Sequence, residues 1–128
     1  MEIYKVGGAV RDYLLNIEPT DVDYVIVGAT NDDIQQLILD GYKQVGRDFP
    51  VYISPTGDEY ALARTERCFG PRHTDFESIT TNVTLEQDLL RRDLTINAMA
   101  QNLKTKSVID PFNGIRDLQE GMLRHVSS

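Results

Sequence analysis

The chain has 128 residues, and thirteen Lys and Arg against twenty Asp and Glu leave it a net charge of −7. That length fits one domain with a usable core, and the acidic balance argues against a broad nucleic-acid footprint. No apolar run approaches the roughly 20 residues of a membrane span, residues 1–5 do not read as a signal peptide, and the lone Cys68 excludes an internal disulfide or a Cys-rich zinc site. A cytoplasmic, reducing setting without membrane contact is therefore expected.

Residues 3–6 read as a short strand, Gly7-Gly8 as a turn and residues 9–15 as a helix, with Pro19 ending the unit. The β-branched and aromatic run 22–27 reads as a strand closed by Gly28. Thr30 caps a helix that carries Ile34, Leu37 and Ile38 on one face and stops at Gly41. Strands near 51–53 and 60–63 flank a hairpin turn at Pro55-Thr56-Gly57-Asp58. Residues 65–83 are polar and aperiodic, hence a long loop. Thr84 with Gln87 forms a capping-box pattern ahead of Leu85, Leu89 and Leu90, and a second helical stretch is expected over 95–100. A strand at 108–109, a turn at 110–114 and a short helix at 115–119 complete the chain. The hairpin-linked centre predicts a mixed sheet and an α+β fold.

The chemistry concentrates near the start. Asp21 and Asp23, two apart on a strand, point to one face. Such a pair suits a hard divalent cation such as Mg²⁺, and equally suits a turn cap followed by one solvent-facing carboxylate. Gly7-Gly8 between strand and helix lets the backbone approach a phosphate, although it also fits an ordinary tight turn. Arg11 lies one turn further on, so a phosphate cradle, a cation and a metal dyad fall within about twenty residues. Glu59 shares a face with Ala61 and Ala63, which leave room for a ligand; a solvent-facing strand-end charge is its plainer reading. Five of the nine arginines lie between Arg64 and Arg92. Arg91 and Arg92 close a helix in favour of its dipole, and Asp93 is placed to cap the following helix, from which Asn97 projects.

Val6-Gly7-Gly8-Ala9-Val10-Arg11-Asp12 followed by Asp21-Val22-Asp23 resembles the signature of the nucleotidyltransferase superfamily. Segments 45–51, 59–67, 91–98, 109–114 and 123–126 agree in order with the class II tRNA nucleotidyltransferases, the CCA-adding enzymes and bacterial poly(A) polymerases. The resemblance covers nearly the whole chain and implies a nucleotidyltransferase head domain over 1–128, a five-stranded mixed sheet with helices on one side. It implies that Asp21 and Asp23 hold two Mg²⁺ ions and that Gly7 and Gly8 give backbone contacts to the triphosphate. Arg11 would bind the triphosphate, and Arg92 with Asp93 and Asn97 would contact the nucleotide's sugar and phosphates. Asp110, in the family's Asp-Pro-Phe turn, is expected to be structural. The implied substrates are CTP, ATP and the 3′ end of tRNA. In the family a neck domain with a Glu-Asp-x-x-Arg helix reads the base and a body grips tRNA; both are expected to be absent from these 128 residues. A separated head, a natural truncation and one half of a split enzyme each fit that expectation. The alternative function is accordingly a truncated nucleotide-binding module with little or no activity alone, which works with a partner chain.

Overall fold

In the computed structural model, residues 1–18, 22–46, 49–68, 71, 76–80 and 82–126 are described, apart from the side chains of 66–68 and 76–78. The elements run β1 (Glu2–Val6), α1 (Gly8–Leu14), β2 (Asp23–Val27), α2 (Asn31–Leu39), β3 (Lys43–Val45), β4 (Val51–Ile53), β5 (Glu59–Leu62), β6 (Thr65–Cys68) and β7 (Phe76–Ile79). They continue through α3 (Leu85–Leu90), a 3₁₀ turn (Thr95–Asn97), β8 (Ala100–Asn102), β9 (Val108–Ile109) and α4 (Gly114–Glu120).

The mixed sheet is present, with seven strands where five were expected, in the order β3-β4-β5-β2-β1-β8-β9. Only β2 and β5 pair in parallel among its described strands. The hairpin between β4 and β5 is closed by the Ser54 and Asp58 main chains and by the Ser54, Thr56 and Asp58 side chains. Each helix-start signal was local. Thr30 with Asp33 and Thr84 with Gln87 both form complete capping boxes.

Side-chain alternation splits the core. Tyr4, Val6, Val25, Ala63 and Ala100 face Leu85 and Leu89 of α3. On the other face, Ile26 and Tyr52 meet Leu37 of α2, with Ile34, Tyr60 and Leu62 around them. Both sheet faces are thus covered, so helices confined to one side are not observed.

Three expectations give way to tertiary context. The loop at 65–83 contains β6 and β7, paired antiparallel with Thr65 opposite Ile79 and Cys68 opposite Phe76. The helix expected over 95–100 is one 3₁₀ turn that runs into β8, because Ala98, Met99 and Ala100 are wholly buried and Ala100 pairs with Val6 of β1. Asp93 does not cap that turn; its N-cap is Leu94, without a side-chain bond. Asp110 is structural, as expected: its two carboxylate oxygens accept from the Gly114 and Ile115 N–H groups and cap α4. Gly114 is required where α4 meets the 3₁₀ turn, since a Cβ there would stand 2.3 Å from the Thr95 carbonyl oxygen.

Candidate active site

The site starts from a strand that ends in glycine. Val6, the last residue of β1, pairs with Asp23 on one side and Ala100 on the other. Gly7 follows at φ 69° and ψ −136°, a conformation open essentially to glycine alone. Its N–H donates to the Met99 carbonyl, and its own carbonyl accepts from Val10 and Arg11 as α1 begins. The turn therefore sits between β1 and the residues that precede β8.

Two guanidinium groups converge on this turn. A Cβ on Gly7 would lie 3.7 Å from Nη1 of Arg92 and 3.9 Å from the Asn97 carbonyl oxygen. A Cβ on Gly8 would lie 3.3 Å from Nη2 of Arg11. Arg11 is held in place by donating from Nη1 to Oδ1 of Asn97 and from Nε to Oδ1 of Asp12. The structure thus brings Gly7, Gly8, Arg11, Arg92 and Asn97 together. Asp93 is exposed, and its carbonyl accepts from the Val126 N–H.

Asp23 opens β2 and is exposed; Asp21 lies outside the described residues. Parallel pairing sets Asp23 directly beside Glu59, the first residue of β5, on the same face as Val6. Residues 24 and 60 point to the opposite face, where the Tyr24 and Tyr60 rings stack at 4.3 Å with 7° between their planes. Tyr42 packs edge-on against Tyr60 at 5.3 Å. Burial, with neighbouring tyrosines and Asp58, pushes the Tyr60 hydroxyl well above the usual tyrosine range, so that ring stays neutral. The stack joins the strand heads that carry the two carboxylates. Among the described residues no three or more His, Cys, Asp or Glu cluster together.

A further residue of this region, Asp88, belongs to no motif of the sequence. It is fully buried in α3 and accepts from Arg91 and Arg92. The signal was available, since an acid three and four residues ahead of two arginines shares their side of a helix.

A second buried carboxylate braces the same region. Asp117 of α4 accepts from the Thr95 hydroxyl at the start of the 3₁₀ turn and from Arg124. The Thr95 bond, helped by the Arg124 charge, holds its carboxyl below the usual value of 3.8. A depressed native pKa adds stability above the ordinary value and loses it as pH falls through the native one. Thermal unfolding followed between about pH 2 and 6 should therefore show the wild type losing stability below about pH 4. Asp117→Asn should start lower at pH 6 and converge on the wild type in acid; parallel curves would contradict this.

A groove of 910 Å³ lies at the other end of β2, around Val27, Thr30, Val83 and Glu86. Among the described residues its lining includes Glu2 and Glu86 and no Lys or Arg. None of the described candidate residues lines it. No helix among the described residues is long and apolar enough to cross a membrane.

Comparison with known proteins agrees with this geometry. Residues 3–124 match the family described as the poly A polymerase head domain. The multifunctional CCA protein of Haemophilus ducreyi is 57% identical over 129 aligned residues, and that of Pseudomonas syringae 56%. The alignment covers 99% of this chain but only 31% of either relative. Among solved structures, a CCA-adding enzyme in an apo form superposes with a TM-score of 0.75 at 35% identity, over 98% of this chain and 31% of that one. The Bacillus stearothermophilus CCA-adding enzyme in complex with CTP gives 0.68 at 30% identity, over 98% and 29%. The Thermotoga maritima CCA-adding enzyme complexed with tRNA gives 0.66 at 33%, over 98% and 28%. With the fold, the glycine turn and the family match in agreement over nearly its full length, this chain belongs to the poly A polymerase head-domain family of nucleotidyltransferases.

Proposed function

We propose that this chain is the catalytic head of a tRNA nucleotidyltransferase, which transfers nucleotidyl groups from CTP and ATP to the 3′ end of tRNA. The observation that carries the reading is the convergence at one edge of the sheet. Asp23 and Glu59 stand side by side at the strand heads, Asp23 pairs with Val6, and the next residue is the glycine towards which Arg92 points. Structural relatives in complex with CTP and with tRNA support the substrate classes.

The donor set fits a divalent cation. Carboxylate oxygens are the ligands that hard ions such as Mg²⁺ take, usually one or two together with substrate phosphates. Asp21 and Asp23 are the proposed ligands, with Glu59 placed to join them. When bound, the ion supplies Lewis-acid stabilisation of the attacked and departing phosphate oxygens. The chain's own groups do the rest. The Gly7 turn admits the triphosphate close to the backbone, and Arg11 and Arg92 offset its charge. Asn97 fixes the Arg11 fork, and Asp93 completes the proposed sugar-contacting segment.

The groups gathered at the turn read phosphate and metal; none of them is a dedicated reader of a base edge. Arg11→Ala is accordingly expected to weaken CTP and ATP binding alike, by ~1.5–3 kcal/mol, as measured by calorimetric titration. Loss of one nucleotide only would show that Arg11 reads the base. The same feature favours the second reading, a nucleotide-binding module whose base choice comes from a partner chain. Incorporation of labelled CTP and ATP into tRNA lacking its 3′ end separates the two. Transfer by this chain supports the first, and nucleotide binding without transfer supports the second.

A further inference from the structure

We propose that Asp88 is a positioning residue for the triphosphate cradle, a buried carboxylate that holds one arm of Arg92 so that the other faces Gly7. The proposal rests on the triphosphate-binding reading above. Asp88 has no exposed surface, although it lies on the short helix α3. Burying an ion there is costly unless donors surround it. They do: Oδ1 accepts from the Arg64 main-chain N–H at 2.9 Å and from Nε and Nη2 of Arg91 at 3.3 and 3.2 Å. Oδ2 accepts from Nη2 of Arg92 at 3.1 Å.

This division of labour has a consequence for the site. With Nη2 tied to Asp88, Nη1 of Arg92 stands 3.7 Å from the position a Cβ on Gly7 would take. A planar fork held by one arm presents the other to an anion already oriented, so less side-chain freedom is lost on binding. Arg92 also keeps a buried Nε that finds no hydrogen-bond partner among the described residues. A side chain serving only to pair with Asp88 has no reason to retain that cost. Asp88 further ties the exit of β5, through Arg64, to the end of α3, so the arginine is referenced to the strand that carries Glu59.

Calorimetric titration of the full chain with Mg²⁺ and tripolyphosphate, which has neither base nor sugar, tests this alongside CTP and ATP. Asp88→Asn keeps the shape, removes the charge and turns an NH₂ group towards the guanidinium groups. It is expected to weaken all three ligands by one common factor, roughly ten- to a hundredfold, as loss of an orienting partner does elsewhere. In an Arg92→Ala background the same substitution should add no further loss of affinity. Additive losses, or wild-type affinity in Asp88→Asn, overturn the positioning role. Arg92→Lys provides a test that does not depend on Asp88→Asn folding. One ammonium cannot hold Asp88 and meet a phosphate together, so this variant should bind tripolyphosphate as weakly as Arg92→Ala. Wild-type affinity in Arg92→Lys overturns the proposal. If the wild type itself binds neither tripolyphosphate nor CTP, the triphosphate reading falls and the positioning role with it. If the wild type binds and the variants match it, only the positioning role falls.

Discussion

Asp23→Ala is expected to lower nucleotidyl transfer to tRNA by at least about a thousandfold, equivalent to ~4 kcal/mol of transition-state stabilisation. The loss should leave the fold untouched. Asp23 is exposed, and its place in the sheet is set by main-chain pairing with Val6 and Glu59, which alanine keeps. The same geometry makes a sharper claim about stability. Asp23 and Glu59 are register partners on adjacent strands, and like charges so placed repel. Removing one should raise stability, by roughly 0.2–1 kcal/mol in urea unfolding without added metal. That combination marks a site held together for its ligand at the expense of the empty fold. Asp23→Asn, which keeps the shape, should be as inactive as Asp23→Ala. Transfer surviving in either variant would remove Asp23 from the proposed metal site. A stability loss of several kcal/mol would instead make it a structural residue.

Much of the proposed site was legible in the sequence because its signals are local. Gly-Gly after a strand, Arg11 one turn on and an Asp-x-Asp pair at a strand head each need only a few residues of context. The capping boxes at Thr30 and Thr84 are local in the same way. What stayed hidden depends on partners far along the chain. Glu59 is a candidate from its strand face alone, but its place beside Asp23 comes from the parallel pairing of β2 with β5, which no periodicity announces. β3 escaped notice because Lys43, Gln44 and Val45 are all exposed on an edge strand, so nothing alternates. β6 and β7 were hidden because a polar strand pair with a long connection carries no hairpin signature. The stretch after Thr95 reads as helical by spacing, yet complete burial of Ala98, Met99 and Ala100 draws it into the sheet. Asp88 differs from these. Its spacing to Arg91 and Arg92 was visible, but an ion pair on a surface helix contributes little, and only its burial gives the spacing weight.

The contrast between the two glycines of the turn supplies the second large effect. Gly7→Ala forces a side chain into a backbone region that costs on the order of 1–3 kcal/mol, so the unfolding free energy should drop by about that much. The added methyl would also lie 3.7 Å from Nη1 of Arg92, inside the space assigned to the triphosphate. CTP and ATP affinity should therefore fall together by roughly a hundredfold or more, ~3 kcal/mol. Gly8 is the control because it is the first residue of α1 and has no positive φ, so alanine there meets no backbone strain. Its new Cβ would meet only the far end of the Arg11 side chain, at 3.3 Å, and that end can give way. Gly8→Ala should thus keep its stability and lose less than about tenfold in nucleotide affinity. Equal losses in both variants would mean that crowding anywhere on the turn suffices and that the Gly7 backbone has no special place against the phosphates. A Gly7→Ala protein that loses stability but binds nucleotide normally would go further. It would reduce the glycine to a device of the fold, and the triphosphate would have to be sought away from Arg92.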